Sequence, residues 1–194
     1  MSAPPEVILL DSNAYFRLAR SIRPLLQGTF GENPQYSLFV LADLDDEYFT
    51  SSRLKTKFEW VNDPEYKRDR LAKRYACKGK WRLDADNAFS FLAAHATDHK
   101  RNVSREDLKA LAVGFARGFP VVSDDSGMRC VADANVIDCW STIRLLKVMV
   151  TTKRIDMNMV TQVLRYLEHE NDLPMPKNEL RKQFKNYFGT DCPI

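Results

Sequence analysis

Apolar residues fall along this chain in two kinds of run, short unbroken ones and longer ones with helical spacing. Val7-Ile8-Leu9-Leu10, the stretch from Tyr36 to Leu41, and Phe119-Pro120-Val121-Val122 are continuous and bounded by polar residues, the pattern of strands buried on both faces. They predict strands over 7–11, 36–41 and 119–122, with Val136-Ile137 as a last short one. Between them the spacing predicts helices: from about Ala14 to Leu26, from Ala42 or Asp43 onward, and over 63–75 with Asp63-Pro64 as N-cap and first position. Further helices are predicted over 84–97, capped by Asp84, then from Ser104-x-x-Asp107 to about Arg117-Gly118, around 128–134, and over 141–152. Gly28, Gly31, Asn33 and Pro34 make a turn, and Lys78-Gly79-Lys80 a break. Strands alternating with helices predict an α/β fold, three-layered α/β/α around a central parallel sheet.

The tail has only helical spacing. Asp156 caps a predicted helix over Met157–Glu168, Leu173-Pro174-Met175-Pro176 interrupts it, and Lys177–Phe188 forms a basic terminal helix. The expected organisation is therefore an α/β unit over 1–140, with a basic helical insertion at about 50–103, followed by a C-terminal helical extension over 141–194. That extension would pack on the α/β unit or offer a surface to a partner.

The chemistry lies where the apolar runs stop. The first ends on Asp11-Ser12-Asn13, the third on Ser123-Asp124-Asp125, and Asp107 opens the helix between them. A parallel sheet gathers strand-end residues along one edge, where such folds place their ligands. Carboxylates brought together repel one another and persist mainly where divalent cations neutralise them. The pattern points to a metal-dependent hydrolytic site.

At these residues the chain resembles the PIN-domain ribonucleases, most closely their VapC-type toxin branch. Asp11-Ser12-Asn13 corresponds to the family's opening Asp-x-Asn. The run from Asp107 through Gly114 and Val121-Val122 to Ser123-Asp124-Asp125 corresponds to its helix-opening acid, glycine, buried strand and Thr/Ser-x-Asp. The likeness covers roughly 6–52 and 103–140. It implies a PIN-like domain and a ribonuclease that uses Mg²⁺ or Mn²⁺, with Asp11, Asp107 and Asp125 as metal ligands. It also implies supporting roles for Asn13, Ser123 and Asp124, an RNA substrate, an antitoxin protein as partner and a homodimer. VapC toxins are usually shorter than this chain, so a PIN nuclease of RNA processing or phage defence, or a PIN-like binding module without catalysis, are the alternatives.

The family's fourth acid is a Glu about one turn into the helix after the second strand. Glu47 falls there, but Asp43-Leu44-Asp45-Asp46-Glu47 offers competitors, and a shift of frame selects Asp46 or Asp43. A rival metal motif is His95-Ala-Thr-Asp98-His99, two imidazoles at i and i+4 as in zinc peptidases. Asp98 is too short for the Glu such peptidases use as base, so a solvated helix end is the expectation.

A net charge of +3 conceals an uneven distribution. Residues 1–52 are acid-rich, whereas 53–82 hold eleven basic residues, interleaved with Phe58, Trp60, Tyr66, Tyr75 and Trp81. That layout suits a polyanion: Lys73, Arg74, Lys78, Lys80 and Arg82 would hold phosphates, and the aromatics would stack on bases or face the core. No P-loop or GxGxxG is present, and no persuasive Ser/His/Asp or Cys/His arrangement, so nucleotide-cofactor and covalent nucleophilic chemistry are not indicated. Four scattered cysteines without a CxxC, no apolar run of membrane length and no secretory pattern predict a reduced, cytoplasmic protein without a membrane.

Overall fold

A computed structural model describes residues 4–194. Its centre is a five-stranded, wholly parallel sheet: β1 (Glu6–Leu10), β2 (Tyr36–Leu41), β3 (Arg74–Tyr75), β4 (Val121–Val122) and β5 (Cys139–Trp140), in the order β3-β2-β1-β4-β5. The helices are α1 (Ser12–Ala19), α2 (Asp43–Thr50), α3 (Ser52–Lys57), α4 (Pro64–Ala72), α5 (Lys80–Asp98), α6 (Arg105–Arg117), α7 (Ser126–Ala134), α8 (Thr142–Thr151), α9 (Met157–His169) and α10 (Lys177–Phe188). This is the three-layer α/β/α architecture that the alternating pattern predicts. No helix among the described residues is long and apolar enough to cross a membrane.

Side chains alternate across a strand, so β1 divides the core in two. Ile8 and Leu10 join one apolar cluster with α1, α2, α8, α9 and α10, whereas Leu9 joins another with α5, α6 and α7. The C-terminal helices are thus part of the layer that covers β1: Val160, Leu164, Leu180 and Phe184 are buried in the same cluster as Ile8 and Phe16. The basic stretch is also structural. It supplies edge strand β3, pairs Val40 with Arg74, and contributes Phe58, Trp60 and Tyr66 to the core. A buried Arg70 ties it down by donating to Asp45 at 2.9 Å and to the Val61 carbonyl at 2.8 Å.

Four boundaries differ from the sequence expectation. Helix α1 stops at Ala19 instead of Leu26, because Pro24 cannot continue a helix and disfavours helical geometry at Arg23. Ile22, Leu25 and Leu26 remain buried in an irregular segment, held by Leu26 N–H to Asp69 (3.1 Å) and by Arg154 to the Pro24 and Gln27 carbonyls (both 2.9 Å). Residues 74–75 are strand, not the end of a helix. Helix α5 begins at Lys80, directly after Gly79 at φ +57°, so Asp84 lies inside it and caps nothing. The last strand is Cys139–Trp140 instead of Val136-Ile137: Val136 sits 94% exposed at φ +57° in the turn after α7.

Gly114 explains how α6 reaches the sheet. A Cβ there would stand 2.5 Å from a Val121 methyl carbon and 3.1 Å from the Phe119 carbonyl oxygen, so only glycine lets helix and strand pack this closely. The approach sets α6, and with it Asp107, against the end of β4.

Candidate active site at the switch point of the sheet

The strand order reverses between β1 and β4, since β2 and β3 lie to one side of β1 and β4 and β5 to the other. Ligands of open α/β sheets bind outside the carboxyl ends of the strands at such a point. Asp11 leaves β1 there, and Ser123-Asp124-Asp125 leaves β4.

Three of the expected acids begin helices. One Asp11 oxygen accepts from Ala14 N–H (2.5 Å) at the start of α1. Asp125 accepts from Met128 N–H (2.8 Å) at the start of α7. Asp107 lies in the first turn of α6, its amide donating to Ser104 Oγ at 3.1 Å. Capping accounts for one oxygen of Asp11 and leaves the other unexplained: Oδ2 is buried in a side chain only 4% exposed, and the Ser123 hydroxyl, though near enough to ease the charge, makes no hydrogen bond of good geometry to it. An unsatisfied buried carboxylate oxygen is costly, and a capping role alone does not require it.

Asp11, Asp107 and Glu47 are each raised first by burial and then by charged neighbours. Burial pushes the Asp11 carboxyl up to about 7; the Ser123 hydroxyl and Ala14 amide oppose the rise, and the charges of Asp124 and Asp107 add to it. Burial likewise raises Asp107, with Asp125 and Glu106 adding to it and Ser104 opposing. Glu47 is raised by burial and then by Asp107 and Glu106, and eased by the Ser12 hydroxyl and by Arg53. Asp107 is therefore the hub through which Asp11, Glu47 and Asp125 feel one another.

Among the three candidates for the fourth acid, Glu47 is half-buried and feels the charge of Asp107, whereas Asp43 lines the crevice at Asp11 and Asp107. Asp43 is paired with Lys109 (2.9 Å), and Asp46 is exposed on the outer face of α2. Asp45, between them, is bound to Arg70 and Arg74.

Asp124 and Asp125 differ in burial. The Asp124 side chain is the buried one, accepting from Thr142 N–H (2.9 Å), from the Thr142 hydroxyl and from Arg17 (3.4 Å). Burial raises it too, against Thr142, Arg17 and Arg129. Asp125 is exposed toward the cleft, and Ser123 Oγ accepts from its amide (3.1 Å) while facing Met128 Sδ (3.1 Å). Asn13 is exposed and, with Asp125, lines a neighbouring cleft of about 560 Å³. Thr142 and Ser12 were not legible as site residues, because a Ser/Thr at a helix start reads as a cap whatever it touches.

The residues suit a hard divalent cation. Every donor is an oxygen, one buried carboxylate oxygen is orphaned, and a crevice of about 20 Å³ beside Asp11, Ser12, Asp43 and Asp107 admits one water-sized occupant. Among the described residues, no three His, Cys, Asp or Glu side chains stand close enough to hold an ion without adjustment. His95 and His99 are stacked on each other at 4.2 Å, with His99 Nδ1 2.9 Å from the His95 carbonyl oxygen, an arrangement of a helix end.

The basic segment is unequal in its availability. Lys73 donates to Ser37 Oγ at 2.8 Å and lies over the Phe39 ring, and Arg74 is paired with Asp45. Lys78, Lys80 and Arg82 are exposed. Of the two alternatives for the aromatics, Phe58, Trp60 and Tyr66 take the second: they are core and cannot stack on bases. Trp81 is 36% exposed, with the Lys80 and Arg117 cations 4.5 and 4.0 Å from the centre of its ring.

No family model matches the chain, and no curated protein matches it. It is similar to solved structures of FitAcB from Neisseria gonorrhoeae (13% identity, TM-score 0.44, covering 70% of this chain and 97% of that one) and of VapBC-5, a member of the VapBC family of toxin-antitoxin systems from Mycobacterium tuberculosis (17% identity, TM-score 0.42, covering 71% and 99%).

Proposed function

We propose that this chain is a divalent-cation-dependent endoribonuclease of PIN type, with Asp11, Asp107 and Asp125 holding Mg²⁺ or Mn²⁺ and Glu47 completing the acidic set. The observation that carries the reading is Oδ2 of Asp11, buried at the switch point without a hydrogen-bond partner among the described residues, in a carboxyl that burial first, and the charges of Asp124 and Asp107 after it, push up. A bound cation of this class supplies charge neutralisation and an activated water for phosphodiester hydrolysis. The protein's own contribution is positioning. The α1 amide at Ala14 fixes Asp11, Ser104 fixes the start of α6 beneath Asp107, and Thr142 with Arg17 engages Asp124 in the cleft wall, leaving Asp125 as the exposed acid beside it. Lys78, Lys80 and Arg82 supply exposed positive charge for the phosphate backbone.

The toxin-antitoxin assignment, with an antitoxin partner and a homodimer, rests on the sequence resemblance. An RNA-processing or phage-defence nuclease would use the same site. Labelled single-stranded RNA incubated with the purified protein in Mn²⁺ or in EDTA tests the proposal. Cleavage in Mn²⁺ that EDTA abolishes is expected; intact RNA in both overturns it and leaves a binding or assembly module.

A further inference from the structure

Two openings adjoin the acidic crevice, and their charges differ. Toward β5 lies the cleft of about 560 Å³, lined by Asp124, Asp125, Asp133 and Glu179 against Arg17 and Arg129. Arg17 is held between Asp124 and Asp172, both at 3.4 Å, which leaves Arg129 as the cleft's single disengaged cation among the described residues. Toward β3 lies a groove of about 320 Å³, which shares Leu41 and Asp43 with the crevice at Asp11 and Asp107. It is lined by Arg82 from α5 and Arg105 and Lys109 from α6, which outnumber the carboxylates of Asp43 and Asp86, together with the rings of Tyr75 and Phe89.

From this contrast we infer that the groove of Arg82, Arg105 and Lys109 is a nucleotide subsite that receives the single strand on one side of the scissile phosphate. The inference rests on the nuclease reading above and adds to it the path of the substrate. A polyanion is repelled by the acid-rich cleft and attracted by the groove. The groove is of a size that holds a small ligand, and it combines aromatic rings with cations, which matches a base or ribose beside a phosphate. Arg105 is exposed and has no ion-pair partner among the described residues. Lys109 and Arg82 are held only by surface pairs, with Asp43 at 2.9 Å and Asp86 at 4.0 Å. Such pairs are worth little and exchange readily for a phosphate. Arg105 and Lys109 lie outside the basic segment of the sequence and join it only because α5 and α6 pack side by side.

The test is binding of a short fluorescein-labelled single-stranded RNA in EDTA across a salt series, for wild type and for Arg105→Gln/Lys109→Gln. Both positions are at the surface, and a melting curve checks the fold. The double variant should bind about tenfold more weakly or worse. Its slope of log K against log salt should fall by about 1.4, roughly 0.7 for each phosphate that the protein no longer neutralises on a single strand. In Mn²⁺ it should raise KM for RNA cleavage with little change in kcat. A double variant with wild-type affinity, slope and KM, in a protein that cleaves, overturns the groove and leaves the nuclease reading intact. A wild type that binds RNA through these residues but never cleaves supports the groove and removes the nuclease. A wild type that neither binds nor cleaves overturns both.

Discussion

The Asp11 amide donates to the Val122 carbonyl at 3.0 Å, so the ends of β1 and β4 lie side by side although more than a hundred residues separate them. That bond brings Asp11 and the Ser123-Asp124-Asp125 turn to one point, and the close seating of Gly114 on Val121 brings Asp107 to the same place.

Asp11→Asn and Asp125→Asn should each abolish Mn²⁺-dependent RNA cleavage while leaving the protein folded. Asn is as good an N-cap as Asp, so α1 and α7 keep their first hydrogen bonds. Undiminished cleavage by either variant would remove that residue from the site.

Stability without a divalent ion should fall as pH rises. The folded-state pKa of Asp11, about 7, lies above the ordinary value of 3.8 that the unfolded chain retains. Below about pH 4 the group is protonated in both states and contributes no penalty. Between about 4 and 7 the unfolded chain releases the proton and the folded one retains it, so stability is lost progressively, on the order of 4 kcal/mol by pH 8. In EDTA, Asp11→Asn should therefore melt higher than wild type at pH 8 and not at pH 4. Melting curves that differ equally at both values would contradict the burial of this carboxylate.

Gly114→Ala should destabilise by about 1–3 kcal/mol, the usual cost of forcing atoms into a packed core. The added Cβ meets Val121 and the Phe119 backbone, neither of which can move without shifting β4. Because β4 carries the site acids, activity should fall further than stability alone explains. Chemical denaturation alongside the cleavage assay measures both.

Removal of the terminal helix by truncation at Leu173 should prevent folding. Leu180 and Phe184 are fully buried against the layer that covers β1. Leu180→Ala or Phe184→Ala alone should cost about 2–5 kcal/mol. A truncated protein with a cooperative melt near that of wild type would instead make α10 an appendage available to a partner.

The sequence by itself determined the elements whose causes are local. Strand β2 and helix α10 stand where the unbroken run and the apolar stripe place them, and Ser104, Gly118 and Asp156 act as the caps their positions suggest. It also marked Asp11, Asp107 and the acids after Ser123, because a carboxylate that stops a strand or starts a helix is visible in one dimension. Tertiary structure decided what depends on partners distant in sequence. Asp43 and Glu47 come under the influence of Asp107 only in the fold, where Lys109 engages Asp43 and Asp46 is left exposed. Asp124 turns inward because Thr142 and Arg17 meet it there. Phe58, Trp60 and Tyr66 are core, and Lys73 is engaged, because the basic stretch folds under the sheet edge as β3. Spacing along a chain fixes hydrogen bonds of short reach, whereas burial and charge neighbours are properties of the packed whole.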